Sequence, residues 1–182
     1  MERRALETHR LVPHPNFAPG DVKAVDVRWA ELPDGRLMLR YMVHGSAGLV
    51  VPPFHGRGRG DELWKTTCFE LFLYDGAGRY REFNFSPNGQ WAAYAFSGYR
   101  IADGNFEPRQ IPEIKHEMGA NQFVLTVFID RADLQGAETA ALAAVIEEKG
   151  GRPSYWGLAH NGLKPDFHDP ACFRIPLRAA AN

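Results

Sequence analysis

The stretch CFELFLYDGAGRYREFNFSPNGQW, residues 68–91, decides the fold that the sequence predicts. Its aromatic and aliphatic side chains recur with a period of two, which is the period of β-strands. Glu70, Glu82 and Asn84 interrupt this apolar pattern at even spacing. These polar side chains face either solvent or a ligand. Two glycine-containing turns divide the stretch into three strands: DGAG at 75–78 and PNG at 87–89.

The first turn sets the register of the first two strands. A slip of two residues would place Glu70 directly opposite Glu82, and like charges in that position destabilise a sheet. A slip of one residue would mix the apolar and polar faces, which a buried sheet resists. The predicted pairs are therefore Tyr74 with Tyr80, Phe72 with Glu82 and Glu70 with Asn84 on one face, and Leu73 with Arg81, Leu71 with Phe83 and Phe69 with Phe85 on the other.

The second turn extends this register to the third strand. Pro87 suits the first position of a three-residue hairpin loop, and Gly89 suits the left-handed position. The predicted pairs are Ser86 with Gln90, Phe85 with Trp91, Asn84 with Ala92 and Phe83 with Ala93. The core face then holds Phe69, Leu71, Phe83, Phe85 and Trp91. The opposite face, called the polar–aromatic face below, holds Glu70, Phe72, Glu82, Asn84, Ala92 and Tyr94.

The polar–aromatic face predicts a shallow binding platform. Carboxylates and amides form hydrogen bonds with neighbouring sugar hydroxyls, while aromatic rings cover the apolar face of a sugar. Ordinary alternation on an exposed sheet face would produce a similar pattern. From the residues alone, both interpretations stay open.

The rest of the chain also favours strands. Many short strands at roughly ten-residue spacing, separated by glycine- and proline-rich turns, are typical of an antiparallel β-sandwich or barrel. We expect one domain over residues 1–182, with its core at about 20–178, and at most one or two short helices, one of them at 131–134. Residues 138–150 fit a helix or a hairpin strand equally. The further predicted strands are 22–30, 36–45, 49–52, 66–75, 79–86, 90–97, 110–117, 122–130 and 154–160, with turns that include 102–104 and 119–121.

Composition and charge narrow the class of protein. The 182 residues carry 21 Lys and Arg against 22 Asp and Glu, so the chain has no basic excess that would indicate nucleic acid or an anionic membrane as a partner. No stretch reaches the roughly 20 apolar residues of a membrane span. The first fifteen residues lack the apolar segment of a signal peptide, and two cysteines are too few for a disulfide scaffold. We therefore expect a cytoplasmic protein.

Two blocks of sequence resemble the DOMON-like proteins related to family-9 carbohydrate-binding modules. DELWKTTCFELFLYDGAGRYREFNFSPNGQWAAYAFSGYR (61–100) has Trp64 six residues before the strand glutamate Glu70, followed by a polar second strand and a turn. SYWGLAHNGLKPDFHDPACF (154–173) has a late tryptophan, Trp156, before an Asp-Pro…Phe stretch. The acid that this group usually carries just ahead of the strand glutamate is replaced here by residues 66–68, Thr-Thr-Cys.

The resemblance implies an immunoglobulin-like or jelly-roll-like β-sandwich that binds a sugar or, in other members, haem. It implies that Trp64 and Trp156 stack on a terminal sugar and that Glu70 and Asn84 bind its hydroxyls. Glu82 lies on the same predicted face, and His160 lies two and four residues beyond Leu158 and Trp156 on one face of the last predicted strand. We therefore predict a non-catalytic, saccharide-binding module with Trp64, Glu70, Glu82, Asn84, Trp156 and His160 at its site.

Other functions stay open as alternatives. A haem would need axial ligands, for which Met42 with His44, or His116 with Met118, are candidates. A glycoside hydrolase would use Glu70 and Glu82 as its carboxylate pair. An interaction module would dock a partner, or a second copy of the chain, on the exposed sheet face. We predict no resident cofactor and no metal site, although His160, Asp166 and His168 have the side-chain chemistry of metal ligands.

Overall fold

The computed structural model describes residues 6–177, so both ends of the predicted 1–182 domain lie outside the described residues. Within them the chain is mainly β, as predicted. The strands are β1 (Glu7–Pro13), β2 (Ala24–Glu31), β3 (Arg36–His44), β4 (Gly58–Arg59), β5 (Cys68–Tyr74), β6 (Tyr80–Phe85), β7 (Gln90–Gly98), β8 (Ile101–Asn105), β9 (Glu113–Met118), β10 (Gln122–Asp130), β11 (Thr139–Glu148), β12 (Arg152–Gly157) and β13 (Ile175–Pro176).

Helical structure is limited to short 3-10 turns. They span Ser46–Gly48, Leu63–Lys65, Arg131–Leu134 and Pro170–Cys172. The turn at Arg131–Leu134 was expected from the sequence, and the Asp130 carboxylate caps it by accepting a hydrogen bond from the backbone N–H of Ala132 at 2.8 Å. Among residues 6–177, none of the helical segments has the length and apolar character that crossing a bilayer would require.

The strands form one continuous, curled sheet. Its order is β4-β7-β6-β5-β11-β12-β1-β2-β3-β10-β9, with β8 beside β7 and β13 beside β11. The pairing of β4 with β7 is parallel and the other strand pairings are antiparallel. Because β1 pairs with both β12 and β2, it joins the two halves of the sheet, whereas a sandwich has two separate sheets. The mainly β prediction is thus confirmed, and the two separate sheets are replaced by one curled sheet.

The main core lies between the two halves of the curled sheet. The Tyr41 ring of β3 packs 5.0 Å from the Phe69 ring of β5, and Phe69 stacks 6.0 Å from Phe123 of β10. The Tyr41 hydroxyl donates to the backbone carbonyl of Glu70 at 2.8 Å, which satisfies a buried phenol. One face of β5, β6 and β7 is therefore committed to the core, and the other face is left for a second set of contacts.

The predicted register of β5, β6 and β7 is confirmed pair by pair. The DGAG loop closes through Asp75, whose backbone N–H donates to the carbonyl of Arg79 at 3.0 Å. In the PNG turn, Gly89 adopts a φ of 94°, a left-handed conformation in which a side chain would be strained. The backbone N–H of Ser86 donates to the carbonyl of Gln90 at 3.0 Å, as the three-residue loop predicts.

Several local predictions are corrected. Residues 49–52 are not a strand, since only Leu49 forms an isolated bridge to Glu148 and the prolines that follow cannot donate to a ladder. The turn expected at 102–104 lies inside β8, which pairs irregularly with β7. For residues 138–150, where helix and strand were both open, the structure has strand β11, which pairs with β5 and β12. The sequence did not indicate β1, which lies in the middle of the sheet.

Candidate ligand-binding site

A cleft of about 650 Å³ opens over the polar–aromatic face. Its base is formed by Glu70 of β5 and Glu82 of β6. Arg100, Lys164 and His168 add charged or polar groups to the lining. The aromatic rings that wall the cleft are Phe17, Trp64, Tyr94, Phe96, Tyr155 and Phe167. The face is therefore the base of a walled cleft and not the shallow platform that the sequence predicted.

Part of the walls comes from strands β7 and β12, and the rest comes from loops that pack across the sheet. Residues 158–174 cross the face of β5, where the Phe173 ring packs 6.1 Å from Phe72 and stacks 5.2 Å from Tyr74. The 3-10 turn Leu63–Lys65 covers another part of the face, with Leu63 packed in a cluster with Cys68 and Ala92. Alternation within each strand predicts which residues share a face, but these loop contacts join residues far apart in the sequence.

The two acids of the base are buried. Glu70 is 3% exposed and Glu82 is 6% exposed. Burial raises the pKa of Glu70 well above its ordinary value, and the charge of Glu82 raises it further. Burial also raises the pKa of Glu82 to about 7, against the opposing effects of the nearby Asn84 amide and the Arg100 guanidinium. Near neutral pH this pair therefore holds at least one proton for much of the time.

A chain of polar contacts connects Glu82 to the loop that covers the cleft. The Tyr80 hydroxyl accepts from the backbone N–H of Arg100 at 3.0 Å and lies 2.8 Å from Nδ1 of His168. In the tautomer in which the hydroxyl donates to Nδ1, Nε2 of His168 carries the proton. That atom faces Oε2 of Glu82 at 3.6 Å. Burial lowers the pKa of His168 to about 4, so the imidazole is neutral at pH 7.

Asn84 lies on the same face but under the cleft. It is fully buried, and its Oδ1 and Nδ2 atoms make no hydrogen bond within the described residues. Its amide is nonetheless close enough to favour the charged form of Glu82. Asn84 is not part of the cleft lining, so it lies beside the acids without reaching the open space. The sequence placed it on the correct face, and the covering turn keeps it from the surface.

The two tryptophans predicted to form a clamp lie in different environments. Trp64 is 50% exposed and lines the cleft. Trp156 is 2% exposed, belongs to the main core and donates from Nε1 to the Ser154 hydroxyl at 2.9 Å. Because neighbouring residues of a strand point to opposite faces, the ring that lines the cleft is that of Tyr155. The placement of Trp156 at the site is therefore wrong.

His160 also lies away from the cleft. Strand β12 ends at Gly157, so His160 does not share a strand face with Trp156 as predicted. Its Nε2 atom donates to the backbone carbonyl of Val12 at 2.8 Å, and its ring packs 5.0 Å from that of His14. Its role is to hold the loop after β12 against β1, and it is not part of the cleft lining.

The candidate haem and metal ligands are not gathered at this cleft. Met42 pairs with Val124 on one side of β10, whereas Met118 pairs with Phe123, and neighbouring strand residues point to opposite faces. The two methionine–histidine pairs predicted as axial ligands therefore lie on different faces of the sheet half formed by β3, β9 and β10. Within residues 6–177, no group of three His, Cys, Asp or Glu side chains is arranged to hold a metal ion.

Sequence reasoning missed most of the walls. Phe17, Arg100 and Phe167 lie on loops, and nothing in their spacing relates them to β5 or β6. The position of Tyr155 could have been predicted from the sequence. If Trp156 points into the core, the neighbouring side chain of Tyr155 points to the opposite face of the strand, where the cleft lies. His168 was considered only as a metal ligand, and the structure instead places it beside Glu82.

Comparison with known proteins identifies a similar fold. No protein-family model and no curated protein matches the sequence. Among solved structures, the chain is similar to a proposed carbohydrate-binding protein from Bacteroides uniformis, with a TM-score of 0.64 and 18% sequence identity. The similarity covers 92% of this chain and 84% of the other. At this identity the match shows a shared fold.

Proposed function

We propose that the protein is a non-catalytic binding module for a small saccharide, which it holds in the cleft over Glu70 and Glu82. The observation that carries this proposal is the combination of two buried carboxyl groups at the base with aromatic rings on the walls. A sugar needs both kinds of group, since its hydroxyls require hydrogen-bond partners and its C–H faces pack on rings.

The wall residues have the exposure that a stacking role requires. Trp64 is half exposed, so part of its ring is free to cover a ligand. Tyr94, Phe96 and Tyr155 are partly buried around the same opening. The structural neighbour from Bacteroides uniformis supports the same function through its description as carbohydrate-binding. Membership of the DOMON-like group stays a proposal that rests on the two sequence blocks.

Direct binding measurements test the proposal. Purified protein is screened against a glycan array, and the hits are titrated by calorimetry with the wild type and with Trp64→Ala. We expect saccharide binding by the wild type and weaker binding by the variant, with unchanged thermal unfolding. A wild-type protein that binds no saccharide at millimolar concentration would contradict the proposed function.

One observation favours a hydrolase as the second candidate function. The pKa of Glu82 is about 7 and that of Glu70 is also raised, as expected of a general acid in a carboxylate pair. Glu70 and Glu82 occupy diagonal positions on adjacent strands, and the backbones of such positions lie about 7–8 Å apart. A hydrolase predicts turnover of aryl glycosides that Glu70→Gln abolishes, and no turnover across a panel of such substrates removes this candidate.

A further inference from the structure

Neither acid at the base of the cleft forms an ion pair with an arginine or a lysine among residues 6–177. The carboxyl group of Glu70 makes no hydrogen bond or ion pair with any other residue among 6–177. Glu70 nevertheless lines the cleft and is only 3% exposed. The Glu82 carboxylate lies 3.6 Å from the neutral ring of His168 and close to the Asn84 amide. A buried carboxylate without a compensating charge is unfavourable by several kcal/mol, and a second one nearby adds repulsion.

The cations around the cleft are engaged elsewhere or lie in solvent. The guanidinium of Arg100 pairs with Asp166 at 2.8 Å. Lys164 is exposed, and within the described residues it forms no ion pair with either acid. A ligand group that reaches the base therefore meets two carboxyl groups there, whereas Lys164 lies exposed in the lining and Arg100 is paired with Asp166.

The walls favour the same ligand chemistry as the base. The faces of aromatic rings carry partial negative charge and attract a cation that lies over them within about 6 Å. Trp64, Tyr94 and Tyr155 are among the rings around the opening. An ammonium group would gain from both the rings and the acids, whereas a carboxylate or phosphate would be repelled by both.

We propose that the saccharide bound in this cleft is an amino sugar, whose protonated amine lies at the base between the carboxyl groups of Glu70 and Glu82. This inference rests on the proposed function, since it names the class of sugar that the same site selects. A neutral sugar can form the hydrogen bonds of its hydroxyls, but it brings no positive charge to the two acids. The protein therefore binds neutral sugars more weakly than amino sugars.

Matched sugars test this inference. Glucosamine, galactosamine and mannosamine are each titrated by calorimetry beside the neutral parent hexose and the N-acetylated form. We expect at least one free amine to bind about tenfold or more tightly than its two counterparts, as for hydrogen bonds to charged groups. If a neutral hexose binds as tightly as its amine, the inference is wrong and the proposed function stands. If none of these sugars and no arrayed glycan binds, both are wrong.

Proton release provides a second readout that does not depend on any variant. Because an ammonium group stabilises charged carboxylates, amine binding at about pH 6 should release protons from the pair, and calorimetry in buffers of different ionisation enthalpy measures them. The charged or titratable groups around the pair include Tyr41, Cys68, Tyr80, Tyr94, Arg100 and His168, with Lys164 in the cleft lining and Asp61 and Asp166 bonded to Tyr94 and Arg100. The tyrosines and the cysteine have raised pKa values, Arg100 stays charged, and the pKa of His168 is about 4, so the released protons come from the acids. Amine binding without proton release would contradict the proposed contact.

Substitution of both acids locates the amine. The double variant Glu70→Gln/Glu82→Gln keeps the shape of both side chains and removes their charge. We expect it to lose the preference, so that the amine no longer binds more tightly than its neutral parent hexose. The matched control is Glu117→Gln, an exposed acid of β9 outside the cleft, which should leave the preference unchanged. Retained amine preference in the double variant would overturn the inference.

Discussion

Oε2 of Glu82 lies 3.6 Å from Nε2 of His168, and this contact joins strand β6 to the loop that covers it. Glu82 is on β6 and His168 lies in the segment after β12, so the contact forms only when residues 158–174 fold over the strands. Burial shifts both groups toward their neutral forms, raising the pKa of the acid to about 7 and lowering the pKa of the imidazole to about 4. The cleft is therefore built around titratable groups whose charge costs stability.

The first prediction concerns Glu82→Gln and pH. The folded-state pKa of Glu82 is raised from 4.5 to about 7, so its unfavourable contribution is absent below about pH 4.5 and complete above about pH 7, where it reaches about 3 kcal/mol. The variant should therefore gain stability relative to the wild type as pH rises from 5 to 8. Urea unfolding at both pH values measures this difference.

The comparison with the wild type also accounts for the titration of His168. His168 has a lowered pKa, so it opposes folding at low pH and gives a contribution of opposite sign in both proteins. Subtracting the wild-type free energy of unfolding cancels it to a first approximation. Glu117→Gln, which makes the same substitution at an exposed acid outside the cleft, is the matched control. An equal free energy difference for Glu82→Gln at pH 5 and pH 8 would mean that Glu82 titrates normally.

The second prediction concerns Trp64→Ala. Trp64 lies in a 3-10 turn and is half exposed, so its removal should change the free energy of unfolding little. Loss of one ring from the wall should weaken sugar binding by roughly 0.5–1.5 kcal/mol, the typical contribution of an aromatic contact. Calorimetric titration measures the affinity. Phe54→Ala, which removes an exposed ring outside the cleft, is the control and should keep full affinity.

The third prediction separates Tyr155 from Trp156. Trp156→Ala should destabilise the fold by about 3–5 kcal/mol, because it empties a core position and leaves the Ser154 hydroxyl without its donor. Tyr155→Ala should cost less stability and should weaken ligand binding, since its partly buried ring lines the cleft. Thermal unfolding and titration of both variants distinguish them. Greater loss of stability in Tyr155→Ala would show that the two faces are assigned incorrectly.

The fourth prediction concerns Glu148, a buried acid unrelated to the cleft. Its carboxylate accepts hydrogen bonds from the backbone N–H groups of Gly20, Asp21 and Val22 at 2.7, 2.6 and 3.1 Å. Glu148→Gln removes the charge and turns a donor toward those N–H groups, so it should destabilise the protein by about 1–3 kcal/mol at neutral pH. Urea unfolding measures this effect, and ligand affinity should not change. A neutral effect on stability would mean that the loop at 20–22 contributes nothing to folding.

The candidate site was predicted in part. The sequence placed Glu70, Glu82 and Asn84 on one face, because two turns of recognisable chemistry set the register and strands alternate with a period of two. The same period was applied incorrectly to 154–160, where the strand ends early and Trp156 points into the core. Local sequence could not decide between helix and strand for residues 138–150. This alanine-rich segment becomes a strand because it pairs with β5 on one side and β12 on the other.

What the sequence determined by itself is local: a mainly β chain, the hairpins of residues 68–98, and the face on which each of their side chains lies. These follow from periodicity and turn chemistry, which act over a few residues. Only the tertiary structure decided that β1 joins both halves of the sheet, that residues 158–174 cover the face, and that the acids are buried. Those features depend on contacts between distant segments, whose packing and desolvation are set by the whole fold and leave no periodic signal in the chain.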